Sequence, residues 1–413
     1  MGVDPNEAAA VRRSPRSAAA RSRLRYAPDE RSAPDERDSP ANPRLSGPRR
    51  IRVRVGRISI IAPMLNEARH IEDFVSDLAN QDFTGDVELL VADGGSTDGS
   101  PELLQRAAGR HGIPLVALTN EAGWVSQGLN ACIRRAGGDL LVRLDCHSRY
   151  PPDYLRRCAL AAEQTGAEVV GGVIVAEGGS LVERGVACAM DSPFGGIGFY
   201  RVLAGDGGTI DRLAGTFGVR RSGEGGDAGR VETDTLTFGA FRPRAFELAG
   251  LFDESLRRNQ DDELNLRVRR AGGRVVLDPT IHVHYTPRGS LRSVFRQYSQ
   301  YGYWKVAVAV KHRTMPGPRS MVPAAFVASI GALALAGLGS RGSRQVLGAA
   351  LAAYTAAAVG AGVTAVRRRG EPGHLVPVVV AVFPAFHLGY GTGMVAGALR
   401  AALLAGRRRP IRF

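Results

Sequence analysis

The sequence predicts an α/β protein, a mainly parallel sheet with helices on both faces, followed by a C-terminal membrane region. Three observations carry this. From Ile58 to about Tyr285, short β-rich runs alternate with helical stretches, and parallel strands need such crossovers over the faces of the sheet. The last third of the chain holds long uncharged segments. The charge is segregated as well: residues 1–57 carry 14 Arg against 7 acids and residues 319–413 carry 11 Arg against 1 acid, so a whole-chain +14 leaves residues 58–318 slightly acidic. A nucleic-acid groove needs its cations on the folded domain, so no nucleic-acid partner is expected. Basic ends suit anionic lipid headgroups instead.

Residues 1–57 are rich in Arg, Pro, Ser, Ala and Asp, with "APDERSAPDERDSP" nearly repeating itself. No apolar period survives, so a disordered tail is expected. It has no stretch like the apolar core of a signal peptide, so nothing in it directs the N-terminus across a membrane. Strands are expected at Ile58–Ala62, Val87–Ala92, Pro114–Leu118, Leu140–Leu144 and Glu168–Val175. Helices are expected at Ala68–Ala79, Pro101–Gly109, Val125–Ala136 and Pro152–Thr165. In sheets of this kind ligands bind beyond the carboxyl ends of the strands. Residues 176–234 are glycine-rich and lack a Walker-type Gly-Lys; a loop near the acceptor is expected there, flanked by Asp191 and Asp234.

Residues 289–318 include "LRSVFRQYSQYGYWKVAVAVKHR", whose mixed aromatics and cations suit a helix lying at a membrane interface or packed on the domain. Three transmembrane segments are expected within residues 319–413, at about 321–339, 345–366 and 375–399, because each is an uncharged run near the length of a bilayer span. The third is interrupted by Pro384, His387 and several glycines, which leaves a full crossing, a re-entrant path or an interfacial position open. Cys132, Cys146, Cys158 and Cys188 have no metal-type spacing and read as reduced structural thiols.

Four carboxylate-bearing patches fall near the ends of expected elements. "PMLNEA" places Pro63, Asn66 and Glu67 after the first strand, with Asn66 able to cap the next helix. "VADGGSTDGS" ends a buried strand on Asp93 and turns through glycines to Asp98; an Asx turn is the plain structural alternative. "VRLDCHSRYPP" puts Asp145 and His147 two apart after a buried strand, facing the same way, as a divalent cation on phosphate oxygens would need. "RRNQDDELNLRVRRAGG" sets Asp261, Asp262 and Glu263 at a helix start, where acids also favour the dipole.

Taken together with "MDSPFG", "TDTLTFGAFR" and "RQYSQYGYW", these motifs resemble the inverting glycosyltransferases of family 2, which have the Rossmann-like GT-A fold. The resemblance covers roughly residues 58–305, and it is nearest to membrane-anchored members that build exopolysaccharides of the succinoglycan type. It implies a GT-A domain at 58–288, with Pro63, Asn66, Glu67, Asp93 and Asp98 on the nucleotide side. It implies Asp145 and His147 as ligands of Mn²⁺ or Mg²⁺, histidine standing where the family has a second acid, which favours Mn²⁺. Asp261 matches the catalytic base, preceded by Gln260 in place of an acid. Gln300 and Trp304 match the ends of a QxxRW motif, as substrate contacts, with Tyr303 in place of its arginine.

The expected activity is transfer of a hexose from a nucleotide sugar, UDP-linked by preference, to a lipid-linked or growing exopolysaccharide acceptor. The expected setting is the plasma membrane, multi-pass, with the catalytic domain cytoplasmic. One base without a second nucleophilic carboxylate predicts inversion. Two rivals stand beside it: a processive polysaccharide synthase, weakened by Tyr303, and an inactive membrane scaffold that binds nucleotide sugar, suggested by Gln260 and His147.

Overall fold

A computed structural model describes residues 54–195, 220–221 and 229–406. The expectations for residues 1–53, for most of the glycine-rich stretch and for Arg407-Arg408-Arg409 lie outside the described residues. Arg54–Arg57, assigned above to the tail, belong to the folded domain. Val55 is buried, and the Gly56 and Arg57 amides donate to Asp139 Oδ2 at 2.9 and 3.0 Å.

The sheet begins with β1 (Arg57–Met64), β2 (Asp86–Asp93), β3 (Leu115–Thr119) and β4 (Leu140–Arg143), ordered β3-β2-β1-β4 and all parallel. Helices α1 (Ile71–Ala79), α2 (Ser100–His111), α3 (Val125–Arg135) and α4 (Tyr154–Thr165) connect them or follow. The sequence dictates this layering: β1 reads "RISIIAPM" and is apolar on both faces. Ile58, Ile60 and Ala62 point to one face and pack with Phe74 and Val75 of α1, Leu104 of α2 and Leu155 of α4. Ile61 points to the other and packs with Leu129 and Cys132 of α3. Period-two alternation thus builds two cores.

The second half of the sheet is mixed. After β5 (Ser148–Arg149) come β6 (Val169–Ala176), α5 (Leu181–Asp191), β7 (Arg220–Arg221), β8 (Val231–Glu232), β9 (Ala240–Phe241), α6 (Pro243–Ala249), α7 (Gln260–Arg270) and β10 (Val275–Tyr285). Strand β9 is inserted antiparallel between β4 and β6, while β10 pairs parallel with β6 and antiparallel with β5 and β8. The sequence hides β9 because two residues carry no period. It obscures β10 because Asp278-Pro279 interrupts the run, and the pairing with β6 slips between Leu277 and His282.

The remaining helices are α8 (Leu291–Lys311), α9 (Pro318–Gly337), α10 (Arg341–Arg368) and α11 (Val376–Gly406). By length and composition the last three suffice to cross a membrane. Helix α11 runs through Pro384, His387 and its glycines without a break. Both His387 ring nitrogens have partners at 2.8 Å, the Tyr354 hydroxyl and the Phe194 carbonyl, and the glycines admit neighbouring backbones. All four cysteines are free and buried, and burial pushes the Cys132 and Cys158 thiols up to about 12.

At the slip in β10 a Cβ added to Gly172 of β6 would lie 2.5 Å from Ile281 Cβ. Gly172→Ala is expected to destabilise the domain by about 1–3 kcal/mol through overpacking, read as a lowered midpoint of thermal unfolding.

Candidate active site

The site forms at the carboxyl edge of the parallel strands. Two loops there are knitted together. Asn66 takes a left-handed conformation (φ 55°). Its amide donates to Ser96 Oγ at 2.8 Å, while its own Oδ1 accepts from the Thr97 amide at 2.9 Å. The Glu67 amide donates to Ser100 Oγ at 2.8 Å and the Ala68 amide to Asp98 Oδ2 at 3.0 Å. Asp93 accepts from the Ser96 hydroxyl at 2.6 Å and from the Gly95 and Ser96 amides at 3.2 and 3.1 Å. The Asx turn weighed above is therefore present. The Ser100 hydroxyl, with backbone amides, holds the Asp98 carboxyl below its ordinary range.

The centre of the site is Arg143, which the sequence analysis passed over inside "VRLD". It ends β4, its side chain is 5% exposed, and its Nη1 donates to both oxygens of Asp261 at 2.5 Å. Its Nη2 lies 3.3 Å from Asp145 Oδ1. One guanidinium thus brings the residue at the end of β4 and the residue at the start of α7 together. Burial alone would lower the Arg143 pKa; the charges of Asp261 and Asp145 overrule it and raise it. A strand filled with apolar residues that ends on Arg just before Asp is the signal that could have exposed it.

Asp261 and Asp262 are neighbours with opposite environments. Burial raises the Asp261 carboxyl above its ordinary value despite Arg143. Burial acts on Asp262 too, but Lys305 Nζ at 2.9 Å and the Thr235 hydroxyl bring it below. Environments that push two carboxyls apart in this way suit different duties. Asn259 precedes them in a left-handed conformation (φ 60°), and the buried Gln260 opens the helix.

Both aspartates, Gln260, Arg143, Asp145, His147, Glu67 and Pro63 line one cavity of about 900 Å³. It continues past Phe194 to Phe326 of α9, Tyr354 of α10 and Phe386 of α11, so a charged end and an apolar end share one space. Trp124, 41% exposed, lines it too, with the Arg257 guanidinium 4.2 Å from its ring centroid. Asn66, Asp93 and Asp98 belong to the knitted loops beside the cavity rather than to its lining.

Among the described residues, no three His, Cys, Asp or Glu side chains converge to enclose a cation. His147 Nδ1 lies 2.8 Å from Glu67 Oε1, and that hydrogen bond, against the effect of burial, raises its pKa. Cys146 and His147 form a turn rather than the extended run expected, and Asp145 and His147 each line the cavity with another partner, Arg143 and Glu67; a small hard cation takes one or two protein donors and completes its shell with phosphate and water.

The α8 positions depart from expectation. Trp304 packs with Leu256, Ala307 and Val308 and does not line the cavity, because that face of α8 covers the domain core. Gln300 Oε1 accepts from Arg258 Nε at 3.2 Å, and Arg258, not Gln300, reaches the cavity. Asp191 pairs with Arg369, and Asp234 lies 3.9 Å from Arg319.

Comparisons with known proteins give the family and the fold. The family model described as "Glycosyl transferase family 2" matches residues 59–224. The succinoglycan biosynthesis protein ExoA of Rhizobium meliloti is 33% identical over 268 residues, 64% of this chain and 74% of that protein. A dolichyl N-acetyl-alpha-D-glucosaminyl phosphate 3-beta-D-2,3-diacetamido-2,3-dideoxy-beta-D-glucuronosyltransferase of Methanococcus voltae is 24% identical over 254 residues, 59% of this chain and 71% of its own. Among solved structures, the mannosyltransferase PcManGT of Pyrobaculum calidifontis, in complex with GDP-Man and Mn²⁺, superposes with a TM-score of 0.57 at 20% identity. The match covers 84% of this chain and 88% of that one, and it shows a shared fold.

Arg143→Met leaves Asp261 buried without its cation and is expected to cost about 3–5 kcal/mol of stability, measured by thermal or chemical unfolding. Glu67→Gln removes the partner that raises the His147 pKa. The imidazole titration midpoint, followed by NMR, is expected above about 6.5 in the wild type and lower in the variant.

Proposed function

The chain belongs to glycosyl transferase family 2 and is a glycosyltransferase, and from that premise we propose that it moves a hexose from a UDP-sugar to a lipid-linked or growing exopolysaccharide acceptor. We place the reaction at the cytoplasmic face of the membrane, in a domain spanning about residues 54–288. The observation that carries this reading is the single cavity, with Asp145 and Asp261 on Arg143 at one end and side chains of apolar helices at the other. A lipid-bound acceptor presents a polar glycan and an apolar tail together, and such a space accommodates both.

The residues divide the work by position. The knitted loops carrying Pro63, Asn66, Glu67, Asp93 and Asp98 receive the nucleotide. Asp145 and His147 would hold Mn²⁺ or Mg²⁺, which when bound shields the charge of the diphosphate. Asp261, in the cavity with its pKa raised by burial, accepts the proton of the acceptor hydroxyl. Gln260 beside it orients that hydroxyl. The acceptor oxygen forms its bond to C1 as the C1–O bond to phosphate breaks. The nucleoside diphosphate departs with the electron pair, and configuration inverts. A processive synthase is the weaker reading, since Trp304 is packed in the core and Tyr303 replaces the QxxRW arginine.

Membranes supplied with labelled UDP- or GDP-sugars and Mn²⁺ should incorporate label into the lipid fraction. Asp261→Asn is expected to keep nucleotide binding and lose turnover by at least ~10²-fold. Asp145→Ala should lose the Mn²⁺-dependent part of nucleotide binding. Undiminished transfer in excess chelator would remove the cation from the proposal, and full activity in both variants would overturn the assigned roles.

A further inference from the structure

Helix α11 is long and apolar enough to cross a bilayer, yet its packing partners give it another orientation. A Cβ on Gly389 would fall 2.7 Å from the Phe295 carbonyl oxygen and one on Gly397 3.0 Å from that of Tyr303, while one on Gly393 would strike that of Ser299. From the other side, Gly302 abuts the Tyr390 carbonyl and the Met394 amide. The partners advance in step, Phe295, Ser299 and Tyr303 against Gly389, Gly393 and Gly397. Helices α8 and α11 therefore run parallel, backbone to backbone, for about 12 Å.

Helix α8 is fastened to the catalytic domain along its length. Tyr301 O accepts from Asn259 Nδ2 at 3.3 Å, Lys305 pairs with Asp262 at 2.9 Å, and His312, its C-cap, meets Glu263 at 2.7 Å. Lys311 pairs with Asp253. It also carries Arg292 and Arg296. A cation at the centre of a bilayer costs at least about 2.5–3.5 kcal/mol, so α8 stays out of the hydrocarbon and holds its parallel neighbour there with it. The first half of α11 is covered by the domain as well: Val378 sits on Gly185 of α5, and Phe386 stacks on Tyr298 at 4.1 Å.

Helices α9 and α10 differ. Their side chains are largely uncovered, with Leu335 72% and Leu338 83% exposed at the tip. The pair is closed there by Arg344 Nη1 on the Gly337 carbonyl at 2.7 Å. Both of its ends return to the domain, through Arg319 near Asp234 and through Arg369 on Asp191.

We propose that α11 is a platform helix lying along the lipid-facing side of the catalytic domain, that α9 and α10 form the one transmembrane hairpin, and that the chain leaves α11 on the same side as the domain. Its partner is an anionic lipid surface. Arg367 and Arg368, exposed at the end of α10, then face the anionic leaflet, where each cation gains about 1 kcal/mol. A third crossing would put the Arg407-Arg408-Arg409 run of the sequence on the side that arginine avoids.

The proposal rests on the membrane anchoring proposed above and not on the sugar-transfer chemistry. The test uses the full chain with single added cysteines, the native thiols being buried. The positions are Glu102 on the exposed face of α2, Gly339 at the hairpin tip, and a residue appended after Phe413. Each is probed with a membrane-impermeant maleimide in intact cells and in inside-out vesicles, with permeabilised membranes setting full labelling. The appended cysteine is expected to follow Glu102→Cys, and Gly339→Cys to show the opposite pattern, each with near-complete loss of labelling from the other side. An appended cysteine that follows Gly339→Cys would establish three crossings and overturn the proposal, as would Gly339→Cys following Glu102→Cys. Sugar transfer, assayed in the same vesicles, reports separately on the catalytic reading.

Discussion

The guanidinium of Arg143 is the contact on which the rest of the site depends. A parallel sheet can bring residues from β1, β2 and β4 to one edge, but α7 arrives from a distant part of the chain and needs something to hold it there. Arg143 does this by gripping Asp261 with Nη1 while Nη2 faces Asp145. Both partners are largely buried, so neither charge can be left alone without a large penalty. Lys305 does the same for Asp262 from α8, so α7 is clamped between the sheet and α8. Two adjacent acids thereby acquire two different cations and two different characters.

Much of this was legible in the sequence, and the limits are physical. The first four strands and four helices could be read because their apolar periods are unbroken, and the four acidic patches do gather at one edge of the sheet. What could not be read depends on contacts between distant residues. Strand β9 has two residues and owes its place to the open edges of β4 and β6. Arg143 looked like an ordinary charge at a strand end, since no local pattern shows that Asp261 will meet it. Trp304 carried the spacing of a substrate contact but faces Leu256, because tertiary packing and not spacing decides which side of α8 is covered. Pro384, His387 and the glycines of α11 leave its path open in the sequence, whereas in three dimensions its glycines are where other backbones pass.

The catalytic domain and the apolar helices are built as one piece. Arg184 meets Glu371 and Arg369 meets Asp191, so α5 is tied to the connection between α10 and α11. Phe194, at the foot of α5, packs against Phe383 and His387 of α11. Such a joint leaves the domain little freedom to swing relative to the apolar helices. It also makes the cavity a shared property: its polar wall comes from the sheet and α7, its apolar wall from the long apolar helices.

The stitched loops of Asn66 and Ser96 bear on affinity. Because their amides and side chains already satisfy one another, a nucleotide bound there as proposed would meet a surface whose shape is set beforehand. Little conformational entropy has then to be surrendered on association, and favourable contacts translate more directly into tight, geometrically selective capture. Rigidity at this rim would then make discrimination between bases a matter of fit at the outset.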